Sequence, residues 1–232
     1  MLRYIRDYIF PSTCLSCSSF VIDNNKFCAK CWHCFDFITK PYCEICGTRF
    51  EISSLAGFTC SKCLQKPPTY DKARSLVKFD SYSRKIIHAF KYNDKLEAAN
   101  TFASMIYDRY SADIASIDLI VPVPMNRFKR LFRMYNQTEV LAKEIAKISG
   151  KNLSLDLLIK NRWTKSQTFL SKSARKKNII GTITFNDKRD IKNKNILLVD
   201  DVLTTGTTVR YCSSILKKAG AKMVTVVTIA MT

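Results

Sequence analysis

No stretch of the 232-residue chain stays apolar for the length needed to cross a bilayer, so no membrane span is expected. Residues 1–11 carry charge throughout and lack the apolar centre and small-residue cleavage site of a secretory leader. They read as a short amphipathic helix stopped by Pro11, and the expected location is cytoplasmic. The Gly-Lys-Ser/Thr ending of a Walker A loop is also missing, which removes that class of nucleotide site. Acidic residues are scarce: 19 Asp and Glu stand against 38 Lys and Arg, a formal net charge of +19. Such an excess attracts polyanions such as nucleic acid or an anionic membrane face. A lysine-rich proteome bias produces the same number, and composition alone does not separate the two.

What is present is concentrated near the carboxyl end. Residues 196–208 run Ile-Leu-Leu-Val-Asp-Asp-Val-Leu-Thr-Thr-Gly-Thr-Thr. Four apolar residues predict a buried strand, and the Thr/Gly run leads into an amphipathic helix. The turn between a parallel strand and a helix N-terminus gathers free backbone N–H groups at the positive end of the helix dipole, where a phosphate binds. The hydroxyls of Thr204, Thr205, Thr207 and Thr208 add donors, and Gly206 permits angles that a side chain would obstruct. The adjacent carboxylates of Asp200 and Asp201 suit the hydroxyls of a sugar phosphate, with a divalent metal offsetting charge.

Cysteine is the second concentration. Four Cys-x-x-Cys pairs, Cys14/Cys17, Cys28/Cys31, Cys43/Cys46 and Cys60/Cys63, precede residue 64. In a reducing compartment such density argues for metal rather than disulfides, and zinc takes four thiolates tetrahedrally. One or two structural zinc ions are expected. Consecutive pairing, the first two pairs on one ion and the last two on another, is the simplest partition, and an interleaved one satisfies the spacing equally. Cys34 and Cys212 fall outside the pairs and read as unligated thiols, while His88 reads as a partly buried helix position.

The stiff connector Lys66-Pro67-Pro68 divides the chain into a cysteine-rich region, residues 1–66, and an α/β domain, residues 67–232. Strand patterns start near residues 73, 117, 153, 181, 195 and 223, with helices at 83–92, 96–110 and from Asn136 to a stop at Gly150. The expected fold class is α/β: a mainly parallel twisted sheet with flanking helices, plus a small zinc-binding region. The strand at 117–121 ends in Val121-Pro122-Val123-Pro124, a proline-bounded turn where open α/β sheets dock ligands. Arg127, Lys129, Arg130 and Arg133 follow, a density suited to pyrophosphate or a nucleic-acid backbone. Residues 160–178 form a long, polar, basic stretch with the character of an active-site lid or binding element.

The Asp-Asp/Thr-Thr-Gly-Thr-Thr string resembles the phosphoribosyl-pyrophosphate (PRPP) motif of type I phosphoribosyltransferases. The whole series of paired cysteines, Phe90-Lys91-Tyr92, Val121-Pro122-Val123-Pro124, Arg133-x-x-Asn136-Gln137, Arg162-x-Thr164-x-x-Gln167-x-x-Leu170 and Arg175-x-x-Asn178 is similar to the ComF family, which includes GntX-like proteins. One departure is that Met134 stands where the family usually has glycine. The resemblance implies an amino-terminal zinc region, a phosphoribosyltransferase-type domain and a role in DNA uptake, as in natural competence. It implies PRPP with Mg²⁺ on Asp200, Asp201 and Thr204 to Thr208, and a pyrophosphate loop from Val121, Pro122, Val123, Pro124 and Arg133. Arg162, Lys165, Arg175, Lys176 and Lys177 become lid or DNA-contact residues.

Two functions follow from this. The first is a PRPP-binding protein that handles single-stranded DNA, with a helicase or other DNA-processing partner. The second is a catalytically active transferase of unknown acceptor that releases pyrophosphate. Purine-salvage relatives carry an acidic residue in the phosphate loop at the position occupied here by Thr204, which is no general base near neutral pH. A purine acceptor using that route is therefore disfavoured.

Overall fold

The computed structural model describes residues 12–21, 27–52, 57–92, 97–125, 136–161 and 181–232. The expected amino-terminal helix lies outside these residues, as do Arg133 and the basic stretch holding Arg162, Lys165, Arg175, Lys176 and Lys177.

Among the described residues, seven strands carry the α/β region: β1 (Lys72–Lys78), β2 (Leu119–Pro122), β3 (Asn152–Leu153), β4 (Leu158–Lys160), β5 (Ile183–Phe185), β6 (Asn195–Leu203) and β7 (Met223–Met231). Five pair in parallel in the order β1-β7-β6-β2-β3, and β4 and β5 form a separate antiparallel ribbon. β1 and β7 are buried along almost their whole length, and β7 accordingly reads as a near-continuous apolar run, whereas β1 buries Arg74 and Ser75 as well. Two short helices, α1 (Ala29–His33) and α2 (Ser61–Gln65), belong to the cysteine-rich region. Four longer ones follow: α3 (Ser81–Tyr92), α4 (Glu97–Ala115, bent at Tyr110), α5 (Gln137–Ser149) and α6 (Thr207–Lys218).

Side-chain alternation along the strands feeds two cores, one on each face of the sheet. Leu197, Val199, Val227 and Ile229 join Phe90 of α3, Phe102 and Ile106 of α4, and Leu141 and Ile145 of α5. Ile196, Leu198, Val224 and Val226 join Val209, Cys212 and Leu216 of α6 together with Leu158 and Ile183 of the ribbon. The connection β2–α5–β3 runs outward to one side and β6–α6–β7 to the other. The point at which their directions part lies between β2 and β6, and the crevice at the carboxyl ends there is where ligands bind in open α/β sheets.

The single strand read at 153–159 divides in two. Leu153 closes the main sheet, and the amide of Ser154 still donates to Ile120 O at 3.0 Å. Its hydroxyl then turns to Asp156 Oδ1 at 2.9 Å, and Asp156 pairs with Arg189 at 3.2 Å. This polar turn redirects the chain, so Leu158 begins β4 in the ribbon, and the strand expected near 181 becomes its partner β5. Helix ends follow local chemistry. Asn136 caps α5 by accepting from the Thr138 amide, and Gly150 ends it in the left-handed region at φ 68°.

The cysteine-rich region is built into this body. Phe37 forms an antiparallel bridge with Val77, Lys78 N donates to Asp36 O at 2.8 Å, and Ala73 N donates to Ile45 O at 2.6 Å. The outer edge of β1, otherwise a row of unpaired backbone groups, is thereby covered. Cys14, Leu15, Phe27, Cys31 and Phe35 lie in the same core as Phe90 and Phe102, with the Phe27 and Phe102 rings 6.0 Å apart.

Candidate functional site

The eight paired cysteines gather into two groups of four, Cys14/Cys17/Cys28/Cys31 and Cys43/Cys46/Cys60/Cys63, with all sulfurs of a group within 4.8 Å of one another. The partition is therefore consecutive. Cys17 and Cys28 approach to 3.7 Å, as do Cys46 and Cys60. Tetrahedral Zn–S bonds of about 2.3 Å require sulfur separations of about 3.8 Å, so the thiols fit zinc. In each group a backbone turn closes on the first cysteine, with Ser18 N donating to Cys14 O and Gly47 N to Cys43 O. Ser18 and Gly47 both take positive φ there. A five-residue helix follows the third cysteine of each group.

The thiols ionise unevenly: burial pushes Cys31, Cys46 and Cys63 up, while hydrogen bonds hold others down. Hydrogen bonding from Ser19 lowers Cys17 to about 6. Burial opposes ionisation of Cys43, yet the N–H groups of Cys60, Cys46 and Ile45 bring it down to about 7. Cys34 lies outside both groups and donates to Lys30 O at 3.3 Å. Cys212 is buried, and its thiol is pushed up by burial and by the Asp200 carboxylate.

The two cysteine groups, the first and second zinc ribbons, repeat each other, and this duplication escaped the sequence reading. The signal was there: Cys14-x-x-Cys17-x-Ser19 parallels Cys43-x-x-Cys46-x-Thr48, and the two hydroxyls sit 3.0 and 3.1 Å from the sulfurs of Cys17 and Cys46.

The second site forms at the carboxyl edge of the sheet. Asp200 and Asp201 end the buried part of β6, half-buried, with Asp201 N donating to Asp200 Oδ1 at 2.9 Å. Thr204 is exposed, and Thr205, Gly206, Thr207 and Thr208 are half-buried. The Thr205 and Thr207 hydroxyls lie 2.9 Å apart. Gly206 takes φ 70° at the start of α6, where no side chain caps the helix and the first turn holds no acid. Uncapped N–H groups at a positive dipole end form an anion-binding cup.

β2 brings the proline-bounded turn alongside. Pro122 stands in register with Val199, and Val123 N donates to Val199 O at 2.8 Å, so Val123 lies next to Asp200. Val121, Pro122 and Val123 are buried and Pro124 half-buried. Thr138, in the first turn of α5, pins the turn by donating from its hydroxyl to Val123 O at 2.8 Å. The structure thus joins Asp200, Asp201 and residues 204–208 with residues 121–124. His88 differs from the reading above, for it is exposed on α3.

Two family models match the chain. Residues 5–64 match the Double zinc ribbon domain and residues 92–231 the Phosphoribosyl transferase domain. The chain belongs to the phosphoribosyl transferase domain family. It is 25% identical over 225 residues to Competence protein F of Haemophilus influenzae, covering 94% of this chain and 96% of that one. It is 27% identical over 192 residues to DNA utilization protein YhgH of Escherichia coli, covering 81% and 82%. Joined to the double ribbon, these likenesses make it a ComF-type member. Among solved structures it is similar to the glutamine PRPP amidotransferase of B. subtilis complexed with ADP and GMP, at TM-score 0.40 and 21% identity. That match covers 60% of this chain and 30% of the enzyme, so the chain spans under a third of the enzyme's length.

Proposed function

We propose that this protein binds PRPP with Mg²⁺ at the carboxyl edge of its sheet and acts on single-stranded DNA during DNA uptake or processing. One observation carries the ligand reading: the Val123–Val199 hydrogen bond sets the turn after β2 beside the Asp pair at the point where the strand order reverses. PRPP carries a phosphate at one end of its ribose and a pyrophosphate at the other, and two anion sites flanking a carboxylate pair match that shape. Thr204 to Thr208 and the N-terminus of α6 take the 5′-phosphate. Asp200 and Asp201 accept from the ribose hydroxyls. Val121 to Pro124, with Arg133, take the pyrophosphate.

The carboxylates of Asp200 and Asp201 fit a hard divalent cation such as Mg²⁺, which would offset the charge of the pyrophosphate. The DNA reading is supported by the names of the relatives and by the net charge of +19. Arg162, Lys165, Arg175, Lys176 and Lys177 are the proposed DNA contacts, with a helicase or other processing enzyme as partner.

The test is calorimetry with PRPP and Mg²⁺ on the wild type and on the Asp200→Ala/Asp201→Ala double variant. Binding lost in the variant supports the site, and equal binding sinks it. Single-strand binding is expected to weaken with salt and to survive the double substitution as a separable activity. Pyrophosphate release during a screen of acceptors would move the protein into the catalytic class.

A further inference from the structure

Arg210 stands one turn into α6, where its amide donates to Gly206 O at 2.8 Å. Helical side chains lean toward the helix N-terminus. Arg210 does so far enough that its Nε and Cδ lie 3.5 and 3.9 Å from where a Cβ on Gly206 would be. The Arg210 side chain thus lies back against the loop at Gly206, within ordinary van der Waals reach of it. Among the described residues Arg210 forms no ion pair. This half-buried cation, paired with no carboxylate among the described residues, and the helix N-terminus whose first turn holds no acid give the loop two sources of positive charge.

The residues holding Arg210 do not come from the sheet. Its guanidinium carbon lies 5.9 Å from the centre of the buried Tyr70 ring, and Thr69 Oγ1 donates to Arg210 O at 2.6 Å. Thr69 and Tyr70 belong to the segment that leaves the second ribbon after Cys63. Tyr70 packs in one core with Tyr42, the neighbour of Cys43, and with Ile45, which lies between Cys43 and Cys46. One core therefore holds side chains beside the second group of four cysteines, Tyr70 and the first turns of α6.

We propose that Arg210 is a further residue of the phosphate cradle, directing its guanidinium group at the 5′-phosphate of a phosphoribosyl ligand. Tyr70 and Thr69 aim it, so the second ribbon shapes the ligand site as well as covering the edge of β1. This rests on the reading of residues 204–208 as the phosphate cradle. The ligands it concerns are those carrying a ribose 5-phosphate, whatever stands at the anomeric carbon.

The experiment titrates PRPP, ribose 5-phosphate and inorganic pyrophosphate, with Mg²⁺, into the full-length wild type, three variants at Arg210 and Tyr70, and the Asp200→Ala/Asp201→Ala variant, with zinc content and thermal midpoint measured for each. Arg210→Gln is expected to weaken PRPP and ribose 5-phosphate by about tenfold, the scale of one charge-assisted hydrogen bond, and to leave pyrophosphate unchanged. Tyr70→Leu, which removes the ring, shifts binding the same way with zinc retained. Tyr70→Phe, which keeps the ring, binds as the wild type does. A folded Arg210→Gln variant with wild-type affinity for PRPP overturns the proposal and leaves the cradle reading intact. Equal PRPP binding by the wild type and the Asp200/Asp201 double alanine variant overturns both. Should Arg210→Gln fail to fold, Arg210→Lys keeps the charge and stem but not the fork. Weakened ribose 5-phosphate with unchanged pyrophosphate in that variant supports the proposal, and unchanged binding of both overturns it.

Discussion

Arg74, on the outer strand of the sheet, donates to both the main-chain oxygen and the carboxylate of Glu44 in the second ribbon, at 3.0 and 3.2 Å. Its Nε reaches Asp113 of α4 at 3.1 Å, and its guanidinium carbon lies 4.9 Å from the centre of the Tyr42 ring. One side chain, 4% exposed, therefore joins ribbon, strand and helix. Replacing it with Ala strands the largely buried Asp113 carboxylate. Loss of one partner of a buried pair costs about 3–5 kcal/mol, and here Lys72 still offsets part of it, so the lower end is expected. Denaturant unfolding measures the loss. Arg74→Lys restores little of it, because a single ammonium replaces a fork that serves four acceptor groups, Ala73 O among them.

Zinc removal is expected to unfold more than the ribbons. Phe27, Phe35 and Cys31 share a core with Phe90, Phe102 and Ile106, so loosening the first ribbon opens the face that α3 and α4 cover. Metal analysis should find two zinc ions per chain, one for each group of four cysteines. Chelation should abolish the thermal transition of the whole chain in one step. Retention of the sheet's near-ultraviolet signal after full zinc loss would contradict this.

Thr138→Val should act on the turn after β2, the proposed pyrophosphate loop, without touching the Asp pair. The substitution keeps the shape of the side chain and removes the hydroxyl that donates to Val123 O, in a buried place. Leaving that carbonyl without its partner costs about 1–3 kcal/mol. The expected outcome is weaker pyrophosphate and PRPP binding with ribose 5-phosphate unchanged, measured in the same titrations.

The turn that redirects the chain from β3 to β4 should respond to acid. The Ser154 hydroxyl, with Arg189 behind it, holds the Asp156 carboxyl below its ordinary value. A folded-state pKa lower than the unfolded one stabilises the protein at pH values above the unfolded pKa. That contribution disappears as the pH falls through the folded one. Asp156 is exposed, so the effect is small and local. Carboxyl chemical shifts followed from pH 7 downward should place its midpoint below that of an unstructured aspartate, and Ser154→Ala should move it upward.

Most of the candidate sites could be read before the fold was known, because they are built from short-range relations. A Cys-x-x-Cys turn sets two sulfurs together, Asn136 caps the helix that begins beside it, and Asp-Asp followed by Thr and Gly is a strand running into a helix N-terminus. Each depends on residues within about one helical turn of one another. The division of the strand at 153–159 was missed for the opposite reason. Leu153 and Leu158 are both strand-like, and they are separated by a polar turn at Ser154 and Asp156 and by pairing with β5 and Arg189, far along the chain. Arg74 gave no sign of its role, since a basic residue in a strand pattern reads as solvent-facing until Glu44 and Asp113 are seen around it.

The sequence by itself determined the chemical character of each piece: thiolate pairs for zinc, two carboxylates ahead of a Thr/Gly loop, and a sheet of buried parallel strands. Tertiary structure decided the company each piece keeps. It chose consecutive over interleaved cysteine pairing, laid the ribbons along the edge of β1, set Val123 beside Asp200 and brought Tyr70 to Arg210. Those neighbours lie far apart in the chain, and the burial of side chains from distant segments in two shared cores is what brings them together.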